Sequence, residues 1–186
     1  HLFYITSAGI SLLNISTSES RLLYSNTTED FFQVPSLYYD DQLKRLWIGT
    51  GSAGLFYYDI IRKSLSDIPI RNFPKQPILA IRKDAKNTLL IGIDGQGIWN
   101  ISEKGDTILH IYKEDLNNPF SLRGDGVYDI LCDGSKNWIA TFTGKLSFFE
   151  NSNSQITPVT YQINNPNSLG NNYVNQIIED HEGHIW

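Results

Sequence analysis

The sequence predicts an all-β fold, a β-propeller made of four-stranded antiparallel blades. An apolar strand, a glycine-containing turn and a second apolar strand recur along the 186 residues. The turn glycines Gly9, Gly54, Gly97 and Gly144 are 45, 43 and 47 residues apart, and no segment keeps apolar residues at helical spacing for a useful length. A strand-built repeat of this period is typical of propeller blades, which bury their apolar faces by stacking on their neighbours.

The repeat divides the chain into five predicted blade units, of which the first and the last are incomplete. The units are 1–32, 33–70, 77–115, 126–163 and 173–186. About four blades are therefore expected, at the lower limit for a closed propeller, and residues 1–186 are interpreted as a single partial propeller domain. The alternative is a ring closed by the predicted innermost strand Tyr173–Glu179. Because the chain has no methionine and the repeat is cut at both ends, we expect an internal piece of a longer chain.

Short apolar runs separated by turn residues define the strands within each unit. The first strand of a unit is expected to be the innermost one, packed on both faces, and the first unit lacks it. The predicted strands are, in order, Leu2–Thr6, Gly9–Ile15, Arg21–Tyr24, Val34–Tyr39, Arg45–Thr50, Leu55–Ile60, Leu65–Ile70, Pro77–Arg82, Thr88–Ile93, Gly97–Ile101, Thr107–Tyr112, Val127–Cys132, Asn137–Phe142, Lys145–Phe149, Ile156–Ile163 and Tyr173–Glu179.

Acidic residues and residues that tolerate positive φ mark the turn after each innermost strand. The carboxylate is expected to accept hydrogen bonds from the amides of its own turn, at Asp41, Asp84, Asp133 and Asp180. Asparagine and glycine tolerate positive φ, and the same turns contain Lys44, Asn87, Asn137 and Gly183. The segment from Asp180 to Trp186 is therefore interpreted as a hairpin and not as a metal site built on His181 and His184.

Composition narrows the classes of function. The net charge is −5 and the sequence has no basic cluster, so it offers no positively charged surface for binding nucleic acid or an anionic membrane. No apolar stretch is long enough to cross a membrane. The single cysteine, Cys132, excludes an internal disulfide framework and lies in a predicted strand, so we expect a buried thiol.

Two motifs that suggest chemistry have simpler interpretations. Gly49–Gly54 spells G-x-G-x-x-G, but a dinucleotide fingerprint must open a helix, and here a second strand follows. A glycoside hydrolase would need two converging carboxylates, and Asp94 and Asp129 are only two of many candidates. No catalytic residue, metal site or cofactor is predicted.

Residues Ser168–Trp186 resemble the two-component regulator propeller repeat almost from end to end, with Ser-Leu, then Val174, Ile177 and Asp180, then a Gly turn before Trp186. Leu46–Leu55 resembles the second half of the repeat. The resemblance implies the periplasmic sensor region of a hybrid two-component histidine kinase and response regulator, with an oligosaccharide as its ligand. It also implies that the chain is a fragment of a seven-bladed propeller, with further blades and downstream receptor domains as partners. Because such a fragment leaves blade faces exposed, we also expect self-association into a homodimer.

In a propeller, the turns between second and third strands and the crossover loops between blades line one face around the channel. Planar polar groups beside aromatic rings suit a sugar. The predicted ligand-binding residues on that face are Arg71, Asp94, Gln96, Arg123, Asp125, Phe142, Asn171 and Tyr173. Two other functions stay open: a propeller lyase or glycoside hydrolase, and a protein–protein interaction scaffold.

Overall fold

The computed structural model describes residues 2–6, 8–25, 36–142 and 145–186, with the backbone alone at Lys145. The chain forms two compact units, His1–Ile78 and Leu79–Trp186. None of the described residues lies in a helix, and the described ranges hold no helix long and apolar enough to cross a membrane. The predicted all-β content is therefore confirmed.

Fifteen strands are described. They are β1 (Leu2–Thr6), β2 (Gly9–Leu13), β3 (Ser20–Ser25), β4 (Ser36–Asp40), β5 (Arg45–Gly49), β6 (Leu55–Asp59), β7 (Ser64–Asp67), β8 (Ile78–Lys83), β9 (Leu89–Ile93), β10 (Gly97–Ile101), β11 (Ile108–Tyr112), β12 (Val127–Cys132), β13 (Lys136–Thr141), β14 (Lys145–Glu150) and β15 (Thr157–Val159).

The strands form antiparallel sheets in which neighbours in sequence are neighbours in space. The sheets are β1-β2-β3, β4-β5-β6-β7, β8-β9-β10-β11 and β12-β13-β14-β15. The first sheet has three described strands, as the sequence predicts for a unit without its innermost strand. Residues 34 and 35 of the predicted strand Val34–Tyr39 lie outside the described residues.

Three fourth strands are shorter than predicted: β7 ends at Asp67 instead of Ile70, β11 begins at Ile108 instead of Thr107, and β15 differs most. The predicted strand Ile156–Ile163 is observed only over Thr157–Val159. Beyond it, the amide of Tyr161 donates to Asn172 Oδ1 at 2.7 Å and that of Gln162 to Ser168 Oγ at 3.0 Å. These amides bond to side chains of the following loop, and this ends the ladder with β14.

The predicted strand Tyr173–Glu179 is wrong. The structure shows only an isolated antiparallel bridge between Glu179 and Ile185. The two amides of Ile178 and Trp186 exchange backbone hydrogen bonds at 3.0 and 2.8 Å. Because the opposite segment, His184–Trp186, is so short, residues 173–177 have no facing strand among the described residues and do not form a ladder.

As predicted, carboxylates at the ends of the innermost strands accept hydrogen bonds from the amides of the following turn, but in one sheet the acceptor is not the predicted residue. Asp84, Asp133 and Asp180 do so as predicted. In the second sheet Asp40, not Asp41, accepts the amides of Gln42 and Leu43, both at 3.0 Å. Asp40 is the last residue of β4, and its position at the strand end aims its carboxylate into the turn, while Asp41 pairs with Lys44 at 2.7 Å.

Positive φ occurs in these turns at Lys44, Asn87 and Gly183, and in the fourth sheet at Gly134. Asn137 was the residue singled out there from the sequence, but it lies in β13, is fully buried, and donates from Nδ2 to Asn151 Oδ1 at 2.8 Å. The Gly49–Gly54 motif joins β5 to β6, so its interpretation as a hairpin turn is confirmed.

Each unit has an apolar core made by the inner faces of its sheets. In the first unit Ile10, Leu46, Ile48 and Tyr58 form one buried cluster. In the second unit the main cluster runs from Ala80 to Ile156 and includes Leu90, Ile98, Val127, Ile130 and Ile139. Because these residues come from strands far apart in sequence, the core depends on sheets packing on one another.

The backbones approach closely around Gly49 in β5. A Cβ atom added to Gly49 would collide with Ser36 Oγ and would lie 2.6 Å from Ile78 Cγ2. Ser36 Oγ donates to the carbonyl of Ile78 at 2.6 Å, and the amide of Ile78 donates to the carbonyl of Thr50 at 3.0 Å. Glycine at position 49 therefore leaves room for the connection between β4 and the start of β8.

Gly49→Ala is expected to lower the free energy of unfolding by about 1–3 kcal/mol, because the added methyl group must displace buried neighbours. Urea denaturation of the 186-residue chain measures the change. Gly170→Ala is the matched control, since its added Cβ would meet no atom within 4 Å. Equal stability of the two variants would contradict the close approach.

Asp133 predicts a pH dependence of stability. Burial alone would raise its pKa, but hydrogen bonds from Trp138 Nε1 and from the amides of Lys136 and Ser135 outweigh burial and hold the pKa below the ordinary 3.8. A carboxylate with a depressed pKa stabilises the fold above its unfolded-state pKa, and this contribution is lost as the pH falls through the folded-state pKa.

Asp133→Asn is therefore expected to lose about 1 kcal/mol near neutral pH, with a smaller loss relative to wild type as the solution is acidified. Denaturation curves across a pH series measure this difference. The exposed Glu150→Gln at the end of β14 controls for removing one carboxylate from the same sheet. A difference between wild type and Asp133→Asn that does not change with pH would refute the prediction.

Candidate functional site

The second unit brings several predicted ligand-binding residues to one surface. We call it the Phe142 surface and define it by Asp94, Gln96, Asp125, Tyr128 and Phe142. Asp94 and Gln96 lie in the β9–β10 turn, Asp125 precedes β12, and Phe142 directly follows β13. Four of these five residues were predicted from the sequence, and Tyr128 was not.

Gly126 explains how two of these stretches come together. A Cβ atom at Gly126 would lie 2.9 Å from Phe142 Cβ and 3.3 Å from Asp94 Oδ1. The amide of Phe142 donates to the carbonyl of Gly126 at 2.6 Å. The missing side chain at Gly126 thus leaves room for the Phe142 side chain and the Asp94 carboxylate to approach the same stretch of backbone.

Tyr128 reaches the surface through a β-bulge. Val127 faces Thr141 and Asp129 faces Ala140, so Tyr128 is one extra residue in β12 opposite β13. Its ring meets that of Phe142 edge to face, with centroids 5.5 Å apart and an interplanar angle of 65°. Bulges often re-aim side chains next to functional sites. Nothing in the sequence pattern of β12 distinguishes Tyr128, so the bulge was not predicted.

Phe142 and Asp94 are the open groups of the surface. Phe142 is 65 % exposed, a large value for a phenylalanine held at a fixed position by its own amide and by Tyr128. Asp94 is also exposed. An aromatic ring face beside a carboxylate can stack on the C–H face of a sugar and accept hydrogen bonds from its hydroxyl groups.

Gln96 and Asp125 are occupied with holding the loops in place. Gln96 Oε1 accepts from Lys113 Nζ at 3.2 Å. Asp125 Oδ1 accepts from the amide of Glu114 at 2.7 Å, and its carbonyl accepts from the amide of Gly97 at 2.8 Å. These bonds fix the crossover between β11 and β12 against the β9–β10 turn, so the two residues support the surface more than they offer free groups.

The other four predicted residues are placed differently. Arg123 donates from Nη2 to the carbonyl of Pro119 at 2.7 Å, and its own carbonyl accepts from Thr141 Oγ1 at 3.4 Å. Asn171 Oδ1 accepts from the amide of Tyr173 at 2.9 Å, so these two exposed residues share a local turn. Arg71 is exposed and belongs to the first unit.

Asp129 is unsuited to act as an acid or base with Asp94. Its Oδ1 accepts from Arg82 Nη2 at 3.1 Å and from the amide of Ile130 at 2.9 Å, and its Oδ2 accepts from the amide of Ile177 at 3.0 Å. The residue is 7 % exposed. Both oxygens therefore serve the connection of β12 to β8 and to the segment after β15.

The region around His181 and His184 is a turn in the structure. Asp180 Oδ1 accepts the amides of Glu182 and His184, both at 2.9 Å, and Oδ2 accepts Trp186 Nε1 at 2.9 Å. The bond from Trp186 is the main cause of a lowered pKa at Asp180. Within the described ranges no group of three or more His, Cys, Asp and Glu side chains is arranged to hold a metal ion.

Cys132 at the end of β12 is half-buried against the main apolar cluster, whereas the sequence predicted a buried thiol, and its thiol is less acidic than usual. Burial is the main cause and raises the pKa of the thiol from 9.0 to about 12, with a further contribution from the charge of Asp84. Because the thiolate is the reactive form, this environment favours the protonated, unreactive thiol.

The native chain is expected to react slowly with 5,5′-dithiobis(2-nitrobenzoic acid) at pH 8, since the raised pKa lowers the thiolate fraction ~1000-fold. The absorbance of the released 5-thio-2-nitrobenzoate anion measures the rate. The same chain in concentrated urea is the control and should react rapidly through its single cysteine. Rapid reaction of the native chain would show that the thiol is neither buried nor suppressed.

Solved structures similar to the chain confirm the fold class. The extracellular domain of the hybrid two component system BT3049 from B. thetaiotaomicron matches with a TM-score of 0.72 and 21% identity, over 97% of this chain and 23% of that chain. The extracellular domain of the one component system BT4673 from B. thetaiotaomicron matches with a TM-score of 0.60 and 18% identity, over 99% of this chain and 31% of that chain. The present chain therefore spans less than a third of the length of either of these extracellular domains.

A chain of the mitotic checkpoint complex is also similar, with a TM-score of 0.58 and 13% identity over 86% of this chain and 45% of that chain. The fold thus occurs in proteins with unrelated roles, and by itself it does not assign a function. No curated protein matches the sequence.

Together, the antiparallel sheets and these structural matches define the chain as a β-propeller protein. Within that class, the family described as two component regulator propeller matches residues 168–186. The resemblance predicted from the sequence is thereby confirmed over residues 168–186.

Proposed function

We propose that the chain is part of the ligand-sensing propeller of a hybrid two-component system and that its Phe142 surface recognises an oligosaccharide. The family match at residues 168–186 and the likeness to the extracellular domains of BT3049 and BT4673 support the sensor role. The observation that carries the choice of site is the exposed Phe142 ring, fixed by Tyr128 and placed beside Asp94 through Gly126.

The proposed setting is periplasmic, outside the inner membrane, with a histidine kinase elsewhere in the parent chain. Residues 1–186 would then be one partial propeller domain, a fragment of a seven-bladed ring that is completed by further blades and followed by downstream receptor domains. Signalling would require the ligand to bind two receptor states with different affinities. We also propose that the chain forms a homodimer through exposed blade faces.

The Phe142 surface suits an oligosaccharide for three physical reasons. The ring of Phe142 offers a flat apolar face, and stacking on such a face contributes about 1 kcal/mol beyond area burial. The Asp94 carboxylate accepts hydrogen bonds from sugar hydroxyl groups. The supporting residues Gln96 and Asp125 already have partners, so the loops do not need to be ordered when a ligand binds.

Isothermal titration calorimetry against a panel of plant and host oligosaccharides tests the proposal. Phe142→Ala is expected to weaken binding of a sugar that binds wild type about fivefold or more, through loss of the stacking face. Asp94→Asn is expected to weaken it through loss of a charged acceptor. Phe120→Ala, at another exposed phenylalanine of the same unit, is the matched control and should bind as wild type does.

Each alternative has its own result in this experiment. Sugar binding that is equal in wild type and in Phe142→Ala would contradict the assignment of the site. Product formation during the titration would favour the lyase or hydrolase alternative. No heat with any sugar would contradict oligosaccharide recognition by this chain and favour a protein-binding scaffold.

A further inference from the structure

We infer that the first unit carries a second binding site, for a small neutral sugar, in a cleft of about 490 Å³ beside the β5–β6 turn. We call it the Phe73 cleft. It lies between that turn and the loop that follows β7, and the lining residues used below are Ser52, Phe56, Asp67, Asn72, Phe73 and Lys75. All of them belong to the first unit, so this cleft and the Phe142 surface can be tested separately.

One wall of the Phe73 cleft is a tightly bonded turn. The amide of Thr50 donates to the carbonyl of Gly54 at 3.2 Å, and Thr50 Oγ1 donates to the same carbonyl at 2.8 Å. Thr50 Oγ1 also accepts the amide of Ala53 at 2.9 Å, and Thr50 is fully buried. The turn that presents Ser52 is thus fixed without a ligand.

The opposite wall is held at both ends. Asp67 at the end of β7 faces Phe56 in the β6–β7 ladder, and the amide of Ile78 donates to the carbonyl of Thr50 at 3.0 Å beyond the loop. Between them, Asn72 has a φ of 57°, an uncommon value for a residue with a side chain. The turn needs no ordering when a ligand binds, and the loop opposite it is anchored at both ends, which limits the conformational entropy lost on binding.

The lining chemistry selects the class of ligand. The half-buried rings of Phe56 and Phe73 offer apolar surface, and Ser52 and Asn72 offer hydrogen-bond donors and acceptors. Asp67 and Lys75 carry opposite charges, so the lining has no net charge and does not select an anion or a cation. A volume of 490 Å³ lies within the range of about 300–1,000 Å³ for small-molecule sites. A neutral mono- or disaccharide fits these conditions.

Saturation-transfer difference NMR with glucose, galactose, mannose, maltose and cellobiose tests the site in the 186-residue chain carrying Asp94→Asn and Phe142→Ala. This background removes the open groups of the Phe142 surface, so a signal here does not depend on the proposed function. At least one of these sugars is expected to bind, and titration should give an affinity that falls at least threefold in Asn72→Gly and in Phe73→Leu.

Matched variants separate loss of a contact from loss of structure. Asn72→Gly removes the amide while glycine keeps the positive φ without strain, and Asn164→Gly is its control at φ 62° in the second unit. Phe120→Leu controls for Phe73→Leu, and thermal melting of all four variants reports stability. No binding of any of the five sugars in this background would overturn the inference. So would binding that Asn72→Gly and Phe73→Leu, if folded, leave unchanged.

Discussion

The structure depends on hydrogen bonds that leave an innermost strand sideways and reach the backbone of the next segment. Ser36 in β4 donates to the carbonyl of Ile78, and Asp129 in β12 accepts the amide of Ile177. Each of these residues lies four positions before the carboxylate that caps its turn, Asp40 or Asp133. Two copies of the repeat therefore place a buried polar side chain at this position, and satisfying it requires the next segment to be docked.

At the equivalent position of the third sheet, the neighbouring strands come together without a polar side chain. Ala80 lies four residues before Asp84, and the Cβ atom that Gly92 lacks would be 3.3 Å from Ala80 and 2.8 Å from Val127 Cγ1. Here small residues let β9 approach β12, and Arg82 reaches Asp129 from the same strand as Ala80. Close packing and a charged hydrogen bond thus replace the single hydroxyl bond of Ser36.

The repeat made the fold predictable because one strand–turn–strand pattern, seen several times, averages out the ambiguity of any single copy. The misses fall where a strand depends on a partner or on local register. Residues 173–179 have the pattern of an innermost strand but only a short segment to pair with, and Asp40 takes the role expected of Asp41 because of where β4 ends. Asp94 and Phe142 could be predicted from their turns. Tyr128 could not, because a bulge is a property of two strands together.

Tyr128 and Asp129 are consecutive residues at the bulge in β12, and their side chains have different partners. The side chain of Tyr128 contacts the ring of Phe142, whereas the carboxylate of Asp129 accepts hydrogen bonds from Arg82 and from the amide of Ile177. Removing the bulge would shift the register of β12 against β13 by one residue on one side of it, so Tyr128 and Asp129 could not both keep the faces on which they now lie.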